Sequence, residues 1–176
     1  MSSELFLKFI EMENILVDLQ NLINISDKKR RYDQAHMRAA YNYSQLSFDS
    51  DTQVGAILVQ EGNILSFGFN GMPTGMDNNC KLHTGATRWE VLHAEANAIL
   101  KCAREGVSTK GATLYITLSP CKECAKLILQ AGISRVVFCE PYKDESGILF
   151  LAQTGIEVDR CEIIQNENKK SKTKKT

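Results

Sequence analysis

Gly111-Ala112-Thr113-Leu114-Tyr115-Ile116-Thr117-Leu118-Ser119-Pro120-Cys121-Lys122-Glu123-Cys124 runs from a β-prone stretch through a proline into a helix start. Ala112 to Leu118 has the apolar, β-branched character of a buried strand. Lys122 to Ala131 carries apolar residues at helical spacing, and Gly132 is placed to end that helix. Ile133 to Cys139 reads as the next strand. Asp144 to Gln153 is a helix closed by Gly155, and Ile156 to Ile163 is a last strand. Strands alternating with helices predict an α/β domain with part of its sheet parallel.

Working toward the N-terminus, His93 to Glu105 is a helix ended by Gly106. Ala96, Ile99, Leu100 and Ala103 are its expected buried face. Asn70 to Glu90 is rich in Gly, Asn, Thr and Met and reads as one long loop, and such loops in small domains are usually functional. Val54 to Gln60 and Asn63 to Phe69 flank Glu61-Gly62 and predict a hairpin. Leu5, Phe9, Met12, Leu16, Leu19 and Ile23 form an apolar stripe on an N-terminal helix. The polar run Asp27-Lys28-Lys29-Arg30-Arg31 is expected to break it from a second helix near 31–46, with His36 on that helix's surface. The expected organisation is a helical extension over 1–26, a catalytic domain over 27–164, and a disordered lysine-rich tail over 165–176.

Bulk properties narrow the classes. The chain has 176 residues, 43% hydrophobic and 24% charged, which suits one soluble domain. Its formal net charge of +0 argues against a nucleic-acid partner. The apolar N-terminal stretch is interrupted by Glu4, Lys8, Glu11, Glu13 and Asp18, so neither a secretory signal nor a membrane span is expected. Cys80, Cys102, Cys121, Cys124, Cys139 and Cys161 lack the spacing of a disulfide framework. Reduced thiols in a cytoplasmic protein are the simpler expectation, with Cys102, Cys139 and Cys161 as core or half-buried residues.

Two motifs carry chemistry: His93-Ala94-Glu95 and Pro120-Cys121-Lys122-Glu123-Cys124. His93, Cys121 and Cys124 are candidate zinc ligands, and three protein ligands leave a fourth position open for catalysis. Cys121 and Cys124 lie at a helix start, where backbone N–H groups favour thiolates. Glu95 is two residues from His93, so the two need not share a helix face, and Glu95 is free to handle protons. This H-x-E…P-C-x-x-C order is the signature of zinc nucleobase deaminases. The expected chemistry is zinc-activated hydroxide attacking a ring carbon that bears an exocyclic amine, with Glu95 shuttling protons. The dithiol alone would also suit a redox pair, or a structural zinc completed by Cys80 or His83.

Together with Val54-Gly55-Ala56-Ile57-Leu58-Val59, Gly68-Phe69-Asn70-Gly71-Met72-Pro73 and His93-Ala94-Glu95-Ala96-Asn97-Ala98-Ile99, the opening stretch resembles the cytidine/deoxycytidylate deaminase family, in particular its deoxycytidylate branch. The likeness spans about Tyr32 to Asp159. It implies a three-layer α/β/α cytidine deaminase-like fold, with a mixed five-stranded sheet whose last two strands are parallel. It implies a homo-oligomer, hexamer or dimer, that binds zinc and converts dCMP to dUMP and ammonia by attack at C4. It further implies that Asn70 contacts the sugar, that the Ala94 N–H and the Ser119 carbonyl hold the pyrimidine, and that Tyr142 and Lys143 lie near the phosphate.

Other readings stay open on sequence alone. A tRNA adenosine deaminase shares both motifs, and the lysine tail would suit it. Free-base, pterin-type and riboflavin-pathway deaminases share them too. An inactive zinc-binding module is the non-enzymatic alternative, and an intact Glu95 argues against it.

Overall fold

The structure, a computed structural model, describes residues 3–164; within 3–24 it describes the side chains of Glu13, Leu16, Val17 and Gln20. The lysine-rich tail, and all of the N-terminal stripe except Leu16, therefore lie outside the described positions. Two compact units divide after Asp33. The first consists of the N-terminal part of helix α1 (Ser3–Ser44), where Leu16, Val17 and Ile25 are exposed. The polar run 27–31 does not break this helix. It contains neither Gly nor Pro, and Lys and Arg are good helix formers, so an all-polar turn stays helical.

The second unit, from Gln34 on, carries the sheet: β1 (Gly55–Gln60), β2 (Asn63–Phe69), β3 (Thr113–Leu118), β4 (Arg135–Glu140) and β5 (Glu157–Arg160). The order is β2-β1-β3-β4-β5. β1 runs antiparallel to β2 and β3, while β3, β4 and β5 are mutually parallel. Glu61 and Gly62 turn the hairpin with φ of 51° and 81°, the left-handed pair that a two-residue loop requires. The parallel strands are joined by α3 (Lys122–Gln130) and α4 (Ser146–Gln153), and α2 (Ala94–Glu105) precedes β3.

Alternation along the strands builds two cores. Ala56, Leu58, Leu114, Ile116, Val136 and Phe138 face α2, α3 and α4, packing on Ala98, Ile128 and Leu151. Ile57, Val59, Tyr115, Val137 and Cys139 face the end of α1 through Met37 and Ala40. The result is the expected three-layer α/β/α sandwich around a mixed sheet. His36 is half-buried against the Tyr115 ring, 5.0 Å between centroids, so it belongs to the layer contact and not to the helix surface.

The predicted face of α2 needs correction. Its buried residues are Ala94, Glu95, Ala98 and Cys102, whereas Leu100 is 53% exposed and Ala103 faces solvent. Small side chains were chosen here for proximity. A Cβ on Gly68 would come within 2.1 Å of the Ala94 carbonyl oxygen, so helix backbone lies directly against β2. Gly147 plays the same part on α4, where a Cβ would meet the Pro120 carbonyl oxygen at 2.1 Å. Both glycines set the position of residues beside the two motifs.

Candidate active site

His93 is the N-cap of α2, with extended φ and ψ of −72° and 156°; Cys121 is the N-cap of α3, at −70° and 167°. Neither side chain makes a capping bond to its own helix, and both turn toward a shared point. Cys124 follows in the first turn of α3 and is buried. The Sγ atoms of Cys121 and Cys124 lie 3.6 and 3.3 Å from His93 Nδ1. The three donor atoms all fall within 4.8 Å of one another.

These separations fit a metal. A tetrahedral zinc with ligands at about 2.0–2.3 Å requires donors roughly 3.3–3.8 Å apart. Soft sulfur and borderline imidazole donors select zinc over hard cations. Charge agrees with geometry. Cys121 is lowered to about 3 by its hydrogen bonds with Cys124 and then His93, while Cys124 is pushed up, first by that same bond and then by burial. His93 is raised, chiefly by its bond to Cys121. Negative charge thus gathers on the Cys121 sulfur at the start of α3, where a divalent cation is a natural counter-charge. Among the described residues no other group of three such donors is this close, and neither Cys80 nor His83 joins the cluster.

Glu95 is 4% exposed, and burial raises its carboxyl to about 7. Glu95, His93 and Cys121 line one cavity of about 210 Å³, together with Asn70, Ala94, Ser119 and Tyr142. The cavity therefore gathers every candidate site residue except Cys124, which sits beneath it in the donor cluster, and Lys143, which is exposed with its ammonium 5.9 Å from the Tyr142 ring centroid.

The family profile described as cytidine and deoxycytidylate deaminase zinc-binding region matches residues 30–140. The chain belongs to this family. The deoxycytidylate deaminase of Enterobacteria phage T4 is 36% identical over 165 residues, covering 69% of this chain and 86% of that relative. The deoxycytidylate deaminase of Mus musculus is 40% identical over 129 residues, covering 65% of this chain and 70% of the relative. Among solved structures, the dCMP deaminase of cyanophage S-TIM5 in complex with dCMP and dUMP has a TM-score of 0.70 and 43% identity. It is matched over 72% of this chain and 93% of its own. As a member of this family the chain carries a zinc-binding deaminase domain, and His93, Cys121 and Cys124 form its potential zinc site.

One wall of the cavity is held by polar bonds. The Asn70 side chain accepts the Val54 N–H at 2.8 Å and donates to the Thr52 carbonyl at 2.9 Å. Its backbone carbonyl accepts the Ser47 hydroxyl at 2.7 Å. Asn70 is thus the clamp of the 52–54 segment as well as a cavity residue. Asn97 ties α2 to the same region by donating to the Phe69 carbonyl at 3.0 Å. The Ser119 hydroxyl accepts the Tyr142 N–H at 2.8 Å and fixes that side of the cavity. Ala94 opens α2, so its N–H has no partner within the helix. Asp49, Thr52, Thr87 and Val91 also line the cavity, and sequence reading passed over them. The one available signal was Asp49-Ser50-Asp51-Thr52, a turn-forming run beside the hairpin. The Asp49 carboxylate accepts the N–H groups of Asp51 and Thr52 at 2.9 and 3.2 Å.

Proposed function

We propose that this chain is a zinc-dependent hydrolytic deaminase converting dCMP to dUMP and ammonia, with Glu95 as the proton shuttle. The observation that carries the reading is the single cavity in which Glu95 stands buried beside the His93, Cys121 and Cys124 donors. His93, Cys121 and Cys124 would hold zinc, which when bound supplies Lewis-acid activation of water near neutral pH. Glu95 takes the proton of the attacking water, passes it to the pyrimidine ring nitrogen, and delivers a proton to the departing ammonia. A buried carboxyl raised to about 7 is matched to giving and taking protons near neutrality.

In this reading the Ala94 N–H and the Ser119 carbonyl orient the base, and Asn70 meets the sugar. Tyr142 reaches the phosphate end of the cavity, with Lys143 beside it on the surface. The mononucleotide is favoured over a polymer by the formal net charge of +0 and by the likeness to relatives named deoxycytidylate deaminase. The active form in this reading is a homo-oligomer. It works in the cytoplasm, where the thiols of Cys121 and Cys124 stay reduced and available to metal. Among the described residues no helix is long and apolar enough to cross a membrane.

The test is ammonia release and the accompanying ultraviolet change when zinc-loaded protein meets dCMP, dCTP, cytidine and tRNA in separate reactions. Turnover of dCMP well above the other three is expected. Preferred turnover of tRNA or cytidine would overturn the substrate, and no turnover with zinc bound would leave an inactive zinc-binding module.

A further inference from the structure

Lys81 lies in the long 70–92 loop, outside the motifs, yet its ammonium joins three groups, two of which line the cavity. Its Nζ is 3.1 Å from Asp49 Oδ1, 2.9 Å from Asp51 Oδ2 and 2.9 Å from Thr87 Oγ1. Asp49 and Thr87 both line the cavity, as does Thr52, whose N–H the Asp49 carboxylate accepts. Lys81 and Thr87 also pair as an isolated antiparallel bridge. The contact is sheltered, since the Asp49 side chain is 4% exposed and that of Lys81 18%. Thr52 is then gripped twice: by Asp49 at its N–H and by Asn70 at its carbonyl.

We propose that Lys81 is a positioning residue for the deamination reaction: it latches the 81–87 loop to the 49–52 turn and so fixes the polar wall of the cavity, against which the nucleotide is held. The metal donors and Glu95 are set by the starts of α2 and α3 and do not pass through Lys81. Loss of the latch therefore weakens substrate holding while leaving the reacting groups in place. Mutations that remove binding common to ground and transition states raise KM more than they lower kcat.

The experiment compares wild type with Lys81→Gln and Lys81→Arg, using dCMP as substrate and native amide exchange as a readout that needs none. In Lys81→Gln, KM for dCMP should rise about tenfold while kcat falls less than about threefold. Lys81→Arg, which keeps the charge and can reach both carboxylates, should recover most of the KM. Amides of 49–54 and of 81–92 should exchange faster together in Lys81→Gln, with those of α3 unchanged. An unpaired, nearly buried Asp49 could unfold that variant. Asp49→Asn combined with Lys81→Gln removes the stranded charge and should still show the raised KM and the paired exchange. The KM readout rests on the proposed dCMP turnover, whereas the exchange readout does not. Wild type inactive on dCMP but with coupled exchange on losing Lys81 would sink the substrate reading and keep the latch. Unchanged KM, or exchange that speeds up in only one of the two segments, would overturn the latch.

Discussion

The donor side and the polar side of the cavity are built by different means. On the donor side, His93, Cys121 and Cys124 sit at or within one turn of a helix start, and two short motifs suffice to place them. On the polar side, Asp49, Thr52, Asn70 and Thr87 are joined by bonds between segments far apart in the chain, such as Asn70 to Val54 and Lys81 to Asp49. Chemistry is encoded locally and grip is encoded by distant polar pairs. Damage to the donor side should therefore remove turnover, and damage to the polar side should mainly weaken substrate binding.

The largest effect should follow removal of the metal. Chelation should cut turnover roughly a thousandfold or more, and added zinc should restore it, as read by metal content and ammonia release together. Undiminished rates in metal-free protein would break the division at its base. A smaller effect is expected of Gly68→Ala. Its Cβ would press on the Ala94 carbonyl oxygen and, at 2.7 Å, on the Ala98 nitrogen. Backbone cannot yield as a flexible side chain does, so a cost of about 1–3 kcal/mol is expected. Because α2 carries His93 and Glu95, kcat should fall roughly tenfold or more as the melting temperature drops. A variant that melts lower with wild-type kcat would show that the glycine serves the fold alone. The smallest effect on kcat is expected from Asn70→Ala. It strands the Val54 N–H and the Thr52 carbonyl at a cost of about 1–3 kcal/mol, and KM should rise more than kcat falls. Equal losses in both would move Asn70 from holding substrate to aligning the reacting groups.

The contrast also explains what could be read from the sequence. The α/β alternation, the hairpin and a partly parallel sheet follow from strand and helix periods, the parallel pairing of the last two strands follows from the family resemblance, and all appear in the structure. The donor set was legible because metal chemistry restricts both residue type and spacing. The face of α2 was legible only in part: Ile99 does pack on the core, but hydrophobic spacing also pointed to Leu100, which is exposed. Contact with Gly68 instead selects Ala94 and Ala98 for their size, a fact visible only once β2 lies beneath them. The continuous α1 was missed because polarity was read as a break, although nothing in 27–31 interrupts helical backbone bonding. Asp49, Thr87 and Lys81 carry no periodic or motif signal. Their roles arise from a meeting of loops that neither loop announces.

In the proposed reaction Glu95 does proton chemistry and does not hold the metal. Glu95→Gln keeps the side chain's shape and removes its ability to shuttle a proton. Its kcat on dCMP should fall roughly 10²- to 10⁴-fold, with zinc content and melting temperature near those of wild type. A variant that retains zinc and turns dCMP over at the wild-type rate would contradict the claim outright.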